Sequence, residues 1–550
     1  MLHSNHRVAA VVLAVGLLGV PFGGVAAAQE SADEQILELS LAEAMEIAFR
    51  NNLDIRIVGF DQFVAEERVT SAKGTFEPTL FLGLPGLSSV NPFPGGATFG
   101  AGSGFGGFGF ADAVTPPSNL FDDPNGTQTN SFATLVDFQQ QLPFGMRYDI
   151  SYNVSRSSTN NLFQSLNPAW NNTLALSVVQ PLLAGRGKEA AAVELLLAQA
   201  NTEVSYAAFQ AQVEEILLQV ETAYWDLVFA ERDLEVQEST LALAREQLER
   251  TQAQVDVGLI APVQSTQAEV QVAARETDVI VARNALDNAR DAVRAALHAE
   301  RLPGGWETGV VPTDAPDPTM SQVNLAGSIE QAMERRAELR QFQATIAARE
   351  IEVAAAGNAL QPRLDLIGQF SSNGIGGNQI IRDGFFGPVI GEIEGGYGDA
   401  VSQMFGFDFV SWRLGVNMTL PLGNSAAEGN YAQATINEDR ARAELQRTRQ
   451  QIELEVRRAV RGVQAATDAV ASTTKTRELA ERQLEIETDR FDVGMSTNFE
   501  VLRFQDDLAL ARSDELRARI ALRQAEASLY RGMGTLLDRY GITIRSGETE

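Results

Sequence analysis

The chain has 550 residues, no cysteine and three histidines, and it carries a formal net charge of −29. Lacking cysteine, it has no disulfide, thiolate metal site, cysteine nucleophile or lipid-modified N-terminal cysteine. His3 and His6 fall in a leader segment, so only His298, expected in a solvated helical run, is left for acid–base chemistry. The acidity argues against DNA or RNA as a partner, because a polyanion needs a basic surface to bind.

Arg7, the short apolar run Val8–Val20 and then Ala26, Ala27 and Ala28 form the pattern of a secretory signal over 1–28, which predicts export. No later segment approaches the ~20 apolar residues of a membrane-spanning helix, so any crossing must use strands closed into a barrel. A first unit occupies 29–301. "LSLAEAMEIAFRNNLDIR" at 39–56 begins a helix expected over 41–73, and Pro78 in "EPTLFL" opens a β-rich stretch over 78–183. Within that stretch the glycine-rich 83–110 is expected to be a surface loop, and "DDPNG" at 122–126 reads as a solvated turn rather than a calcium loop. "QPLL" at 180–183 closes it.

A long helix is then expected over 188–256. Val213, Val220, Leu227, Leu234, Leu241, Leu248 and Val255 recur in it every seventh residue. That seam is the mark of helices winding round neighbours. A turn at 257–264 and a return helix over 265–301 follow, with Val279, Ala282, Leu286, Ala289, Val293 and Ala296 alternating by three and four. A Pro/Gly/Asp-rich linker fills 302–322.

The plan then recurs over 323–535. "VNLAGSIEQAMERRAELR" at 323–340 matches 39–56, and the same offset carries Pro78 onto Pro362 in "QPRLDL". "LPLG" at 420–423 matches "QPLL", and "RFDVGM" at 490–495 matches "QVDVGL" at 254–259. The second unit is expected to hold strands over 362–422, a long helix over 427–492, a turn at 493–499 and a helix over 500–534, with a tail at 536–550. In each half the two flanking helices together equal the long one in length, as the wall of a tube requires. The strands alternate with period two: Trp412, Leu414, Val416, Met418 and Leu420 against Ser411, Arg413, Gly415, Asn417 and Thr419.

The duplicated "LSLAEAMEIAFRNN", the proline after each ascending helix, the "QPLL/LPLG" strand ends and the two "VG" turns together resemble the TolC-like outer-membrane efflux proteins, over roughly 38–535. The resemblance implies a mixed α+β membrane protein: a homotrimer with a shared β-barrel among outer-membrane lipid, continued by a long α-helical coiled-coil barrel in the periplasm. It implies a passive exit duct for efflux or type I secretion, served by a periplasmic adaptor protein and an inner-membrane pump, with no cofactor, no metal and no catalytic residue. By alignment, Val257, Gly258, Leu259 and Ile260, and Val493, Gly494, Met495 and Ser496, are the tips that meet the adaptor. The acidic gate of the family falls on Glu500 and Arg503. Glu500 keeps the acid and Arg503 departs from it, so a Glu–Arg network is expected there, with Asp506 and Asp507 as further acids.

Two other readings stand beside this one: a periplasmic coiled-coil scaffold or adaptor without a pore, and a secreted enzyme, which the absence of cysteine and the scarcity of histidine disfavour. One departure from the family plan is expected. Residues 132–142 and 146–154 alternate like barrel strands and only "PFG" at 143–145 separates them, which predicts six strands per protomer in place of four, and eighteen in a trimer. The competing reading makes 131–156 an extracellular hairpin standing above the membrane.

Overall fold

The computed structural model describes residues 36–83, 109–115, 127–161, 164–317, 323–384 and 387–544. The signal segment, most of the glycine-rich loop, "DDPNG" and the last residues of the tail lie outside the described residues.

In chain order, strand β1 (Ile36–Leu39) leads into helices α1 (Leu41–Asn51) and α2 (Leu53–Gly74). Five strands' worth of sheet follows: β2 (Thr79–Leu82), β3 (Gly109–Thr115), β4 (Thr127–Gln141), β5 (Arg147–Thr159) and β6 (Leu166–Pro181). Next come the one-turn α3 (Lys188–Ala191), the long α4 (Val193–Asp256), α5 (Val263–Ala296) and β7 (Gly309–Pro312). The second half holds α6 (Leu325–Arg335), α7 (Ala337–Ala359), β8 (Arg363–Arg382), β9 (Val389–Ile393), α8 (Tyr397–Gly406) and β10 (Phe409–Thr419). It ends with α9 (Ser425–Asp492), α10 (Asn498–Gly532) and the short α11 (Leu536–Arg539).

The two long helices, of 64 and 68 residues, owe their length to unbroken seams. Each runs ~100 Å at 1.5 Å per residue. Val213, Val220 and Leu227 on α4, and Ile452, Val456, Val463 and Val470 on α9, are buried as the heptads require. Toward the sheet the lateral order is α2, α4, α7, α9; toward the far turns it is α5, α4, α10, α9. Four helices therefore stand side by side at either level, with α4 and α9 common to both.

Several boundaries differ from the sequence expectation. The helix expected over 41–73, and its counterpart begun by the matching 323–340 segment, each break once. At Asn52 the side chain accepts from the Asp54 and Ile55 amides, starting α2, while its amide donates to the Ala296 carbonyl. At Arg336 the guanidinium is buried against Glu338, Glu455 and the Arg531 and Gly532 carbonyls. A third break at Ala192 (φ −115°, ψ 28°) makes α4 start at Val193 rather than 188. His298 does not lie in a helix: it ends α5 at φ 63°. The expected linker is structured too, since β7 pairs in parallel with β1 and buries Val310. Tyr224 fixes that junction by donating to the Leu39 carbonyl and to Asp314. Around it lies the largest core, with Trp225, Leu217, Leu227, Met45, Leu297 and Leu536 fully enclosed.

The large sheet is antiparallel throughout, in the order β2–β4–β5–β6–β8–β10. β3 lies on the same edge of β4 as β2: β2 covers Val136–Gln139 and β3 covers Thr127–Ala133. On the other edge, β10 pairs with β8 up to Asn373 and β9 pairs with it from Gln379 to Arg382. Among the described residues the sheet thus has six columns, and the β9–β10 column is interrupted by α8.

Candidate conduit: sheet faces, helix turns and an acidic cluster

Directly opposed residues in an antiparallel sheet point to the same side, so the register reads off each face. One row crosses all six columns as Leu80, Phe138, Ile150, Leu176, Phe370 and Trp412. The adjacent row reads Thr79, Gln139, Asp149, Ser177, Gln369 and Arg413. One face is therefore apolar from edge to edge and the other polar. Trp412, Leu414, Val416 and Met418 stand exposed on the apolar side. A half-buried soluble sheet would carry a second layer over that whole face; here, among the described residues, α8 covers part of it, over β6 and β8.

α8 seats on the outer part of the apolar face. The Ser372 hydroxyl donates to the Met404 carbonyl at 2.6 Å. A Cβ at Gly374 or Gly376 would stand 1.8 Å from the Ala400 carbonyl oxygen or 2.0 Å from that of Gly396, so only glycine permits the approach. Tyr397 completes the contact, hydroxyl to hydroxyl with Tyr152 at 2.8 Å and edge-on to Trp170.

The β4–β5 turn lies at the opposite end, where strands meet helices. The Gly187 amide donates to the Phe144 carbonyl at 3.1 Å, just before α3 and α4. Gly145 (φ 98°) lies so close to this segment that a Cβ would meet the Gly185 carbonyl oxygen at 2.5 Å.

At the far ends of the helices the two turns repeat one geometry. Gly258 (φ 76°) and Gly494 (φ 77°) supply the left-handed residue that ends a helix. The Leu259 amide returns to the Gln254 carbonyl and the Met495 amide to that of Arg490. Val257 and Leu259, and Val493 and Met495, are each about 70% exposed or more, with Ile260 and Ser496 half-buried beside them. The second turn is further tied by Ser496 and Arg490 to the buried Glu487.

Glu500 stands in the first turn of α10, where Thr497 caps its amide, and Arg503 pairs with it at 3.6 Å. Asp506 faces elsewhere, accepting from Gln271 at 2.6 and 2.7 Å and pairing with Arg275 of α5 at 3.3 Å. Burial raises its carboxyl above the usual range, although Arg275 and Gln271 pull it back. Asp507 is exposed, and its charge adds to the raising of the Asp506 carboxyl. Sequence reading missed Gln271, Arg275 and the buried Gln247–Asn498 bond (2.6 Å) that also ties the two hairpins together. The α5 heptad placed Gln271 and Arg275 on a helix, but nothing in the spacing told which neighbour they face.

A second polar cluster was also missed, because its members lie far apart in sequence. Glu214 on α4 is 2% exposed and faces Glu338, Arg336, Arg531 and Arg340. Burial, then the Glu338 charge, push its carboxyl up to about 7. Among the described residues no helix is long and apolar enough to cross a membrane, and no histidine–carboxylate group could hold a metal.

The model of a family described as outer membrane efflux protein matches residues 145–298 and 328–535. Outer membrane protein TolC of Vibrio cholerae serotype O1 is 24% identical over 362 residues, covering 63% of this chain and 73% of that protein. Among solved structures, the outer-membrane channel OprN superposes with a TM-score of 0.61 at 15% identity, covering 90% of each chain. The Campylobacter jejuni CmeC outer membrane channel gives a TM-score of 0.61 at 13% identity over 95% of this chain and 94% of its own. VceC of Vibrio cholerae gives 0.60 at 14% identity over 90% and 96%.

Proposed function

This chain belongs to the outer membrane efflux protein family, and from that premise we propose that three copies form a passive exit duct through the outer membrane. An adaptor and an inner-membrane pump feed it from the periplasmic side. The observation that carries the reading is the two-faced sheet set on a slab of four parallel-running helix columns. An apolar outer face and a polar inner face are what a barrel wall between lipid and water needs. The family match and this sheet together favour the duct over a scaffold without a pore.

Trimer closure is supported by the edges. β2, α2 and α5 form one lateral edge of the chain, and β10 and α9 form the other. Both edges carry unpartnered apolar residues. Leu53, Ile57, Phe60 and Val64 stripe α2 at helical spacing, and Leu454, Leu479 and Ile486 stand out from α9. Such stripes on two opposite edges fit a ring of copies.

The exposed apolar turns at 257–260 and 493–496 are the adaptor-binding tips in this reading. Glu500 and Arg503, with the Asp506 link between hairpins, close the periplasmic end. No residue is assigned a catalytic role. Cell fractionation tests the proposal: the protein is expected in the outer membrane, released only by detergent and heat-modifiable. Recovery in the soluble periplasmic fraction would overturn it.

A further inference from the structure

Resting on the trimeric duct just proposed, we infer that its membrane segment is an eighteen-stranded barrel as wide as the helical tube below it, so the conduit does not narrow at the outer membrane.

The first support is that the β4–β5 hairpin is part of the wall. β5 pairs with β6 from Arg147–Val179 to Ser157–Ala169, and β4 pairs with β5 from Gln141–Arg147 to Thr129–Thr159. A hairpin standing above the membrane would meet its neighbours only at one end. Phe138 and Ile150 of the hairpin also continue the apolar row between Leu80 and Leu176. The turn itself, at Phe144 and Gly145, packs on the segment that enters α4, at the helix end of the sheet. A hairpin whose turn touches the helical slab spans the same layer as its neighbours.

The second support is a match of widths. Strands 4.8 Å apart and tilted by ~40° each occupy ~6 Å of circumference, so six columns take up ~38 Å. Four helices packed side by side at 8–10 Å take up ~32–40 Å. Four strands at the same tilt would cover only ~25 Å. With the hairpin included, sheet and slab are equally wide in each copy.

The third support is the state of the edges. Among the described residues, β10 and β2 each have one side without a strand partner. An open strand edge does not survive in hydrocarbon. The occupant that fits is a second copy, β10 of one against β2 of the next, because that junction also brings α9 of the first beside α2 and α5 of the second. Six strands from each of three copies then close the ring.

Electron cryomicroscopy of the detergent-extracted full chain tests this directly. Eighteen strands are expected, with a barrel circumference about 1.5-fold that of a twelve-stranded one. Twelve strands with residues 131–156 outside the wall would overturn the inference and leave the duct intact. Absence of any ring would remove the duct as well. Labelling supplies an independent measure, since the chain contains no cysteine. In intact cells a membrane-impermeant maleimide is expected to label Glu392→Cys, at the outer end of the sheet, and to spare Phe144→Cys until the outer membrane is permeabilised. Labelling of both from outside would place the turn outside the cell and overturn the inference. Failure of Glu392→Cys to label would instead count against the outer-membrane orientation.

Discussion

At the scale of single residues, two carboxylates carry distinct predictions. Glu214 is enclosed between the two halves of the chain and its carboxyl is pushed up to about 7, first by burial and then by Glu338. An acid whose folded value is raised binds more protons folded than unfolded over the interval from ~4.5 to ~7, so it favours the fold below that window and loses the advantage as pH rises through it. Thermal unfolding of the detergent-solubilised protein is expected to show stability falling across that interval. Glu214→Gln should flatten the profile and raise stability at pH 8 by roughly 2 kcal/mol; an unchanged profile would assign the titration to another group. Asp506 joins α10 to α5 through Gln271 and Arg275, and Glu500 pairs with Arg503 one turn nearer the tip. Asp506→Ala and Glu500→Ala are each expected to raise single-channel conductance in planar bilayers. Unchanged conductance in both, and in Arg503→Ala, would place the constriction elsewhere.

At the scale of elements, the tip turns depend on one backbone conformation rather than on space. A Cβ at Gly258 or Gly494 meets nothing within 4 Å, but both residues sit at positive φ. Gly258→Phe and Gly494→Phe therefore cost ~1–3 kcal/mol of local strain and reshape the exposed Val–Gly–Leu and Val–Gly–Met surfaces. Transport is expected to fall while outer-membrane abundance stays near normal; full transport in both variants would remove the tip assignment. How much of this was legible in the sequence follows from the range of the interactions involved. The long helices, their turns and the strand alternation depend on periodicities within a few residues, and these stood in the text of the chain. The hairpin at 132–154 could be read because "PFG" leaves room for nothing but a tight turn. What could not be read were the breaks at Asn52 and Arg336, where the deciding partners, Ala296, Glu455, Arg531 and Gly532, lie far along the chain. The same holds for the link from Asp506 to α5. The pairing of β7 with β1 was hidden because a four-residue strand inside a Pro/Gly-rich stretch leaves no period to detect.

At the scale of the whole molecule, the exposed stripes on α2 and α9 predict that crosslinking of solubilised protein stops at the trimer; a monodisperse monomer with both helix pairs folded would refute the ring. One further feature bears on how such an assembly would sit in the membrane. With the apolar face turned to lipid, α8 forms a ledge on the outside of the wall, and the bare apolar surface beneath it runs from Leu364 to Phe370 on β8 and from Met418 to Val410 on β10. Seven to nine residues of tilted strand stand ~18–23 Å high, close to the ~25 Å apolar band of an outer-membrane barrel. In the duct proposed above, that ledge would sit at the outer surface of the bilayer and limit how far the protein sinks into it. With its draught so set, α4 and α9 would serve as a ruler, and the level in the periplasm at which the proposed pump complex meets the duct would be a number of helical turns.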